Sequence, residues 1–217
     1  IITYRRERDS IKEIRDQGIE TIQADFSSDK DIEGLIEEIW KRVSALRAVV
    51  HNASLWYPDS EIVGKEEMST RFLNLVYVHM MAPFRINYGL KGLLEASNPE
   101  IVDDTHALGD IVHMTDFVVH KGSKDHVAYA ATKAALENMT QSFAAQFGPK
   151  IKVNSIAPAL IKFNPGDSEE YRKKAEVKSI MGFEPGEEVI FQTLSYLLQN
   201  PYVTGTCMHI DGGRHLV

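Results

Sequence analysis

The sequence predicts an α/β fold: a doubly wound parallel sheet with helices on both faces, in a single domain. Short apolar runs alternate with amphipathic helical stretches along all 217 residues, and this alternation requires crossover helices between parallel strands. The short runs are apolar on both faces, which is typical of strands covered on both sides. We therefore expect one domain over residues 1–217, with a polar substrate-loop region at 162–180.

Each predicted element has a local signal. Strands are expected at 1–4, 19–24, 48–51, 110–115, 151–156 and 207–210, and helices at 7–17, 29–44, 66–96, 127–147, 168–179 and 187–198. Gly18 should end the first helix, since glycine favours the position just after a helix. The second helix has apolar residues at steps of three and four from Ile32 to Val43. Pro83 should interrupt or kink the long helix.

The composition argues against several functional classes. The chain has 24 basic and 31 acidic side chains and a net charge of −7, which does not fit the basic patches of non-specific nucleic-acid binding. Cys207 is the only cysteine, so an intramolecular disulfide and a CxxC metal site are excluded, and a reducing cytoplasm fits best. No run approaches the ~18 apolar residues of a membrane helix. The charges among the first ten residues do not fit a signal peptide.

The topology predicts where a ligand would bind. In open α/β sheets, ligands bind at the carboxyl ends of the strands. The residues that follow the predicted strands are Arg5, Arg6, Asp25, Phe26, Asn52, Ala53, Ser54, Thr115, Asp116 and Pro158 to Ile161. We expect them to form the site.

Tyr129 and Lys133 are a candidate catalytic pair. They lie four residues apart on a predicted helix, so both side chains are on one face. An ammonium near a phenol favours the phenolate and lowers a tyrosine pKa that starts near ~10. Such a tyrosine could exchange a proton at neutral pH. On spacing alone, the pair could equally form an ordinary surface hydrogen bond.

Several motifs give this pair a context. Residues 129–136 read Tyr-Ala-Ala-Thr-Lys-Ala-Ala-Leu, and they come after a predicted strand that ends Met-Thr-Asp. Four other motifs occur along the chain: Asn52-Ala53-Ser54, residues 153–158 (Val-Asn-Ser-Ile-Ala-Pro), Val203-Thr204-Gly205 and Asp211-Gly212-Gly213. In this order and spacing, over nearly the whole chain, the sequence resembles the short-chain dehydrogenase/reductase family, which has a Rossmann-type fold. The resemblance implies a nicotinamide-dependent reductase.

The family's roles transfer to matching positions. Tyr129 would donate the proton, and Lys133 would hold the nicotinamide ribose and keep the tyrosine pKa low. The remaining cofactor contacts implied are Asn52 and Ala53 on the adenine side and Pro158, Leu160 and Ile161 near the nicotinamide, together with Ser54 and Met114.

Two departures from the family point to its pteridine reductases. The family usually has serine thirteen residues before the tyrosine, and here that residue is Asp116. An aromatic residue, Trp56, follows Ser54 by two positions. In pteridine reductases an Asp–Tyr pair delivers the proton and an aromatic ring stacks on the flat pterin. The expected substrate-binding residues are therefore Ser54, Trp56, Asp116 and Tyr129. Asp116 could instead be only a turn or cap residue, and Trp56 only a core residue.

The residues after the first strand predict the cofactor. An enzyme that prefers NAD usually places an acidic residue there to bind the ribose 2′-hydroxyl. This chain has Arg5 and Arg6, whose guanidinium groups can pair with a 2′-phosphate. We therefore expect NADPH, with Asp25 accepting from the adenine amino group and Phe26 flanking the ring. One of the two arginines, more readily Arg6, could instead be solvated.

His79 occupies a position on the long helix where the family often has asparagine. It could replace that asparagine in a water relay to Lys133, or it could be a buried histidine with its own hydrogen bonds. The other histidines show no ligand spacing such as HExxH, so no metal is predicted.

The family's Gly-rich phosphate loop is absent from this sequence. The first predicted strand corresponds to the family's second, and without a strand between 1–4 and 48–51 those two strands would face a gap. We therefore expect the natural chain to have about 25 further residues upstream, enough for a strand, a loop and a helix.

The resemblance as a whole implies NADPH-dependent reduction of a dihydropterin, such as dihydromonapterin or dihydrofolate. One alternative is reduction of another carbonyl substrate, against which Asp116 argues, since simple ketone reductases use a hydroxyl at that position. The other is a non-catalytic NADP sensor, which could dispense with the Tyr129–Lys133 pair. Family members usually form homodimers or homotetramers, and Leu73, Val76 and Met80 could lie at such an interface or in the core.

Overall fold

A computed structural model describes residues 1–61, 64–97 and 109–217. The strands are β1 (Ile2–Tyr4), β2 (Thr21–Gln23), β3 (Ala48–His51), β4 (Gly109–Met114), β5 (Ile151–Pro158) and β6 (Cys207–Ile210). The helices are α1 (Asp9–Asp16), α2 (Asp29–Arg42), α3 (Lys65–Val76), α4 (Ala82–Glu95), α5 (Val127–Phe147), α6 (Glu169–Glu176) and α7 (Glu188–Gln199). The predicted alternation of strands and helices is confirmed, and the boundaries differ mostly by one to three residues.

The strands form parallel ladders. β1 pairs with β2, and β3, β4, β5 and β6 form a second sheet in that order. In the described part of the chain, no ladder joins β1 to β3. A groove of about 550 Å³ lies between them and is lined mainly by apolar side chains, including Ile2, Val49 and Leu90. The strand order agrees with the predicted doubly wound topology, and the interruption lies where the sequence predicts a gap.

Helices cover the large sheet on both faces. On one face, Ile32, Leu35 and Ile39 of α2 pack with Ile86 and Leu90 of α4. On the other face, Phe143 and Phe147 of α5 pack against Ile111 of β4 and Val153 of β5. β4 and β5 are buried on both sides, so their apolar residues face the core on either face. Their buried polar residues, such as His113 and Asn154, have hydrogen-bond partners.

The long helix is interrupted just before Pro83. Residues Tyr77–Met81 form a π-helical turn, in which the Ala82 N–H donates to the Tyr77 carbonyl. Pro83 has no N–H and begins the first turn of α4, a position where proline is tolerated. The predicted interruption is therefore a widened turn that lies N-terminal to the proline. Such turns often carry functional residues, and this one contains His79.

A chain of buried hydrogen bonds lies beneath the ends of β3 and β4. His51 Nε2 contacts Asn87 Oδ1 at 2.7 Å, and Asn87 Nδ2 contacts His113 Nε2 at 3.2 Å. His113 Nδ1 contacts Thr140 Oγ1 at 2.8 Å. Burial lowers the pKa of His51 to about 4 and lowers that of His113 well below its usual value. Both imidazoles are therefore neutral at physiological pH.

No helix in the described ranges is long and apolar enough to cross a membrane.

Candidate active site

Tyr129 and Lys133 lie at the carboxyl edge of the large sheet. Both project from the first turns of α5 and are buried. The Lys133 Nζ donates to the Met114 carbonyl at 2.7 Å, where β4 ends. The Tyr129 hydroxyl donates to Asp116 Oδ2 at 2.8 Å. The helical spacing and the end of β4 together bring the three predicted catalytic residues into one cluster.

Asp116 has two hydrogen-bonding roles. Its Oδ1 accepts from the Val118 N–H at 3.0 Å and so caps a short 3₁₀ turn. Its Oδ2 binds the Tyr129 hydroxyl. The turn-cap role that the sequence left open is therefore present, and it fixes the carboxyl group against the tyrosine. Burial raises the Asp116 pKa above its usual value, so this carboxyl retains a proton at higher pH than an exposed aspartate does.

The predicted effect of Lys133 on Tyr129 is wrong for the structure as it stands. The Tyr129 pKa is raised, first by burial and then by the Asp116 carboxyl, which accepts its proton. The Lys133 ammonium is held at the Met114 carbonyl and lies 5.7 Å from the centre of the tyrosine ring. Burial lowers the Lys133 pKa to about 8. The carboxyl group, in direct contact with the phenol, outweighs the more distant ammonium.

His79 joins this group through Ser54. Its Nε2 accepts from the Leu55 N–H at 3.2 Å and contacts Ser54 Oγ at 2.9 Å. Its Nδ1 contacts Thr132 Oγ1 at 2.9 Å, and the Thr132 hydroxyl donates to the Tyr129 carbonyl. Because Nε2 accepts from a backbone N–H, the ring proton must be on Nδ1, and the Ser54 hydroxyl must then donate to Nε2.

This network makes His79 a buried histidine with both ring nitrogens hydrogen-bonded. Burial lowers its pKa to about 3, so the ring stays neutral. Ser54 also lies within hydrogen-bonding reach of Tyr129 and acts to lower the tyrosine pKa. The sequence singled out His79 and Ser54 separately, but not their contact. We refer to Ser54, His79, Asp116, Tyr129 and Lys133 as the tyrosine cluster.

A second cavity, of about 330 Å³, lies at the ends of β1 and β2. The predicted residues that line it are Arg5, Arg6, Asp25, Phe26, Ala53 and Ser54. Arg8 and Ser10, which the sequence analysis did not select, also line it; their position beside the start of α1 was the available signal. In the described part of the chain, none of the three arginines forms an ion pair. We call this cavity the arginine pocket.

The remaining predicted residues lie around these two regions. Asn52 is exposed and lines the groove between the two sheets rather than the arginine pocket. Trp56 is 61% exposed, and its ring lies 4.4 Å from that of His126 with 32° between the planes. It is therefore not a core residue. Pro158 ends β5, and Leu160 and Ile161 follow it. Leu160 borders a cavity of about 490 Å³ that is also lined by Ile180, the last residue of the predicted substrate loop, and by the adjacent Met181.

The two regions suit different parts of one reaction. The arginine pocket has exposed guanidinium groups free to pair with an anion. The tyrosine cluster has a carboxyl, a phenol and an ammonium, and can hold or pass a proton at the Tyr129 hydroxyl. Both lie at the carboxyl edge of the strands, and Ser54 belongs to both.

Known proteins similar in sequence and in structure indicate the family. A family model described as enoyl-(acyl carrier protein) reductase matches residues 1–215. The dihydromonapterin reductase of Enterobacter sp. (strain 638) is 44% identical over 216 residues, covering 100% of this chain and 86% of that protein. The dihydromonapterin reductase of Escherichia coli (strain SMS-3-5 / SECEC) is 41% identical with the same coverage.

A similar solved structure is that of FolM alternative dihydrofolate reductase 1 from Brucella canis, complexed with NADP. It superimposes with a TM-score of 0.81 at 25% identity, and covers 100% of this chain and 83% of that one.

Proposed function

The chain belongs to the short-chain dehydrogenase/reductase family, and from that membership we propose that it is an NADPH-dependent dihydropterin reductase. The proposed reaction converts 7,8-dihydromonapterin to its tetrahydro form, and dihydrofolate is a second substrate of the same type. The observation that carries the proposal is the hydrogen bond of 2.8 Å from the Tyr129 hydroxyl to Asp116, beside Lys133. Two dihydromonapterin reductases are 44% and 41% identical to this chain over 216 residues.

The residues of the arginine pocket fit NADPH. Arg5 and Arg6 would pair with the 2′-phosphate, since they are exposed and without carboxylate partners among the described residues. Asp25 would accept from the adenine amino group, with Phe26 against the ring. Burial opposes ionisation of Asp25, but hydrogen bonds from Ser27, and then the charges of Arg5 and Arg6, hold its pKa below the usual value, so this carboxylate is available as an acceptor.

Further cofactor contacts are proposed at the sheet edge. Asn52, Ala53, Ser54 and Met114 would line the cleft, with Pro158, Leu160 and Ile161 beside the nicotinamide. Lys133 would hold the nicotinamide ribose. When bound, NADPH supplies the hydride for the reduction.

The tyrosine cluster supports proton delivery to the substrate. The Tyr129 hydroxyl is the donor. Asp116, which is partly buried and has a raised pKa, returns a proton to it when the carboxyl is itself protonated, across the hydrogen bond of 2.8 Å that joins the two side chains. Lys133 keeps positive charge near both groups. Reduction of an imine bond requires one proton at nitrogen as hydride reaches carbon, and this pair can provide it.

Trp56 and Ser54 are the proposed contacts for the pterin ring. The indole is exposed at the mouth of the site, and aromatic faces stack well on flat heterocycles. Asp116 and Ser54 offer acceptors to the donor-rich amino-pyrimidine edge.

NADPH oxidation tests this function. The rate is followed by absorbance with dihydromonapterin and dihydrofolate in parallel, and a ketone substrate serves as the comparison. The proposal expects turnover of at least one pterin and none of the ketone. NADPH binding without turnover of either pterin would contradict it and favour a sensor or a reductase of another carbonyl compound.

Asp116→Asn tests the proton path. Asp116 is active as the protonated acid, so turnover should fall as pH rises through its raised pKa. In the asparagine variant we expect turnover reduced by at least ~10-fold, below the usual range for a general acid because Tyr129 remains, and the loss of that pH dependence. An unchanged pH profile would remove Asp116 from the path. Asp16→Asn, at an exposed position at the end of α1, is the control.

We also propose that the protein works in the cytoplasm as a homodimer or homotetramer. The single cysteine and the proposed need for NADPH support the first part. Exposed apolar side chains on α3, among them Met68, Phe72 and Leu73, support the proposed homo-oligomer. Size-exclusion chromatography with light scattering would measure the assembly.

A further inference from the structure

Possible metal ligands lie together along one face of β6, and none of them belongs to the tyrosine cluster. Cys207 and His209 alternate along the strand and so point to the same side, and Asp211 follows at the next position of that side. Two other segments bring histidines to this face: His120, after the 3₁₀ turn that Asp116 caps, and His215, near the end of the chain. The rings of His120 and His215 lie 4.8 and 4.7 Å from that of His209.

These side chains form two overlapping sets. In one, His120, Cys207 and His209 have ligand atoms within 4.8 Å of one another; in the other, His209, Asp211 and His215 do. The second set is already explained by hydrogen bonds. Asp211 accepts from the Gly213 N–H and the His215 N–H, and its Oδ2 contacts His215 Nδ1 at 2.6 Å. Its carboxylate serves the turn that follows β6.

In the first set, Cys207 lies within hydrogen-bonding reach of Ser155, Glu137 and Thr115, but His209 has no comparable explanation. His209 Nδ1 is buried and has no hydrogen-bond partner in the described residues, an arrangement that costs free energy in a folded protein. His120 is exposed and lies in a loop next to Gly122, whose φ is +75°. Two imidazoles and a thiol are donors that zinc and related ions of borderline softness prefer.

We propose that His120, Cys207 and His209 bind a divalent transition-metal ion of the zinc class. Tetrahedral Zn–N and Zn–S bonds of about 2.0–2.3 Å place ligand atoms about 3.5 Å apart, so the donors must close by about 1 Å through side-chain rotation. The Cys207 thiol releases its proton to solvent when its sulfur binds the ion. Water takes the fourth position. The ion ties the loop after Asp116 to β6.

The sequence pattern gives no indication of this site, because His120 is 87 residues from Cys207 and no short motif joins them. Only the pairing of β5 with β6 and the turn after β4 bring the donors together.

Cobalt substitution tests the proposal. Untagged, reduced, metal-free protein is titrated with Co²⁺, and the spectrum is recorded for thiolate-to-cobalt charge transfer in the near ultraviolet and for tetrahedral d–d bands in the visible. We expect one equivalent to bind with both signals and Zn²⁺ to displace it. The absence of the charge-transfer band in the unsubstituted protein would overturn the proposal.

Three variants separate the two sets of ligands. Cys207→Ser should abolish the charge-transfer band, and His120→Asn should weaken Co²⁺ binding by at least ~10-fold, the low end of what even outer-shell changes cost. His215→Asn should leave both signals unchanged. His120 is exposed, so its substitution tests the site even if Cys207→Ser fails to fold. Binding lost in His215→Asn and retained in His120→Asn would overturn the assignment.

Discussion

The arginine pocket and the tyrosine cluster meet at Ser54 but differ in how their polar groups are satisfied. The arginines are exposed and, among the described residues, form no ion pairs. The groups of the tyrosine cluster are mostly buried and bound to one another. A pocket of unpaired charges is ready to bind an anion, whereas a hydrogen-bonded cluster is positioned in advance for chemistry. Substitutions in the first should therefore change cofactor affinity, and those in the second should change turnover.

Tyr129→Phe should have the largest effect. Removing the hydroxyl eliminates the proposed proton donor and leaves the buried Asp116 without its partner. We expect turnover to fall by at least ~100-fold, with NADPH affinity nearly unchanged. Steady-state rates and NADPH fluorescence titration measure the two quantities. Tyr202→Phe, at a 97% exposed position, is the control. A rate that stays the same would remove Tyr129 from the mechanism.

As pH falls, protonation of the buried His51 and His113 should destabilise the fold before protonation of Asp25 affects the arginine pocket. His51 has a folded pKa of about 4, against 6.5 when unfolded, so the unfolded chain binds more protons and stability falls as pH drops through this interval. From pH 7 to pH 5, His51 alone should remove about 2 kcal/mol of the free energy of unfolding. His113 adds to this loss, in the same direction. Asp25, with its lowered pKa, acts only below about pH 4.

Urea unfolding at the two pH values tests this difference. His51→Gln keeps a polar side chain beside Asn87 but cannot titrate, so its stability should depend less on pH. The exposed His120→Asn variant should retain the full dependence. An equal loss of stability with pH in the His51→Gln and unsubstituted proteins would place the acid-sensitive group elsewhere.

Arg5→Ala should change the preference for NADPH over NADH, by a smaller factor than Tyr129→Phe changes turnover. A hydrogen bond to a charged group contributes about 1.5–3 kcal/mol, and the low end predicts an NADPH Michaelis constant raised ~10-fold. The NADH constant should be almost unchanged, because NADH lacks the 2′-phosphate. Arg42→Ala is the control, because Arg42 lies at the end of α2 and its side chain is already paired with Glu38 and Glu20. Equal effects on both cofactors would mean that Arg5 does not contact the phosphate.

The fold was largely predictable because its signals are local. The Val127–Phe147 helix and the Ala48–His51 strand have the predicted boundaries, since apolar periodicity and Gly148-Pro149 mark them. The contact between Asp116 and Tyr129 followed from the family spacing. The sign of the Tyr129 pKa shift did not, because it depends first on burial and then on the distance to Asp116, and the spacing of residues along the chain gives neither.

The contacts of His79 could not be predicted from the sequence either. Its ring reaches Ser54 and Thr132 from a π-helical turn, and the extra residue in that turn rotates the side chain relative to regular helical spacing. The position of Pro83 indicated an interruption, but the kind of turn decides which way His79 points.

Ser54→Ala and His79→Asn should have the smallest effects, and their combination tests the assigned tautomer. The Ser54 hydroxyl donates to His79 Nε2, and this contact holds Ser54 beside Tyr129, where it lowers the tyrosine pKa. Loss of one neutral hydrogen bond of about 1 kcal/mol predicts turnover reduced ~5-fold in Ser54→Ala. If His79 acts by orienting Ser54, the two substitutions together should cost little more than one, and neither effect should vary above pH 5, because the His79 pKa is about 3. Ser142→Ala, on the exposed face of α5, is the control. Additive losses would show that His79 supports the cluster through packing alone.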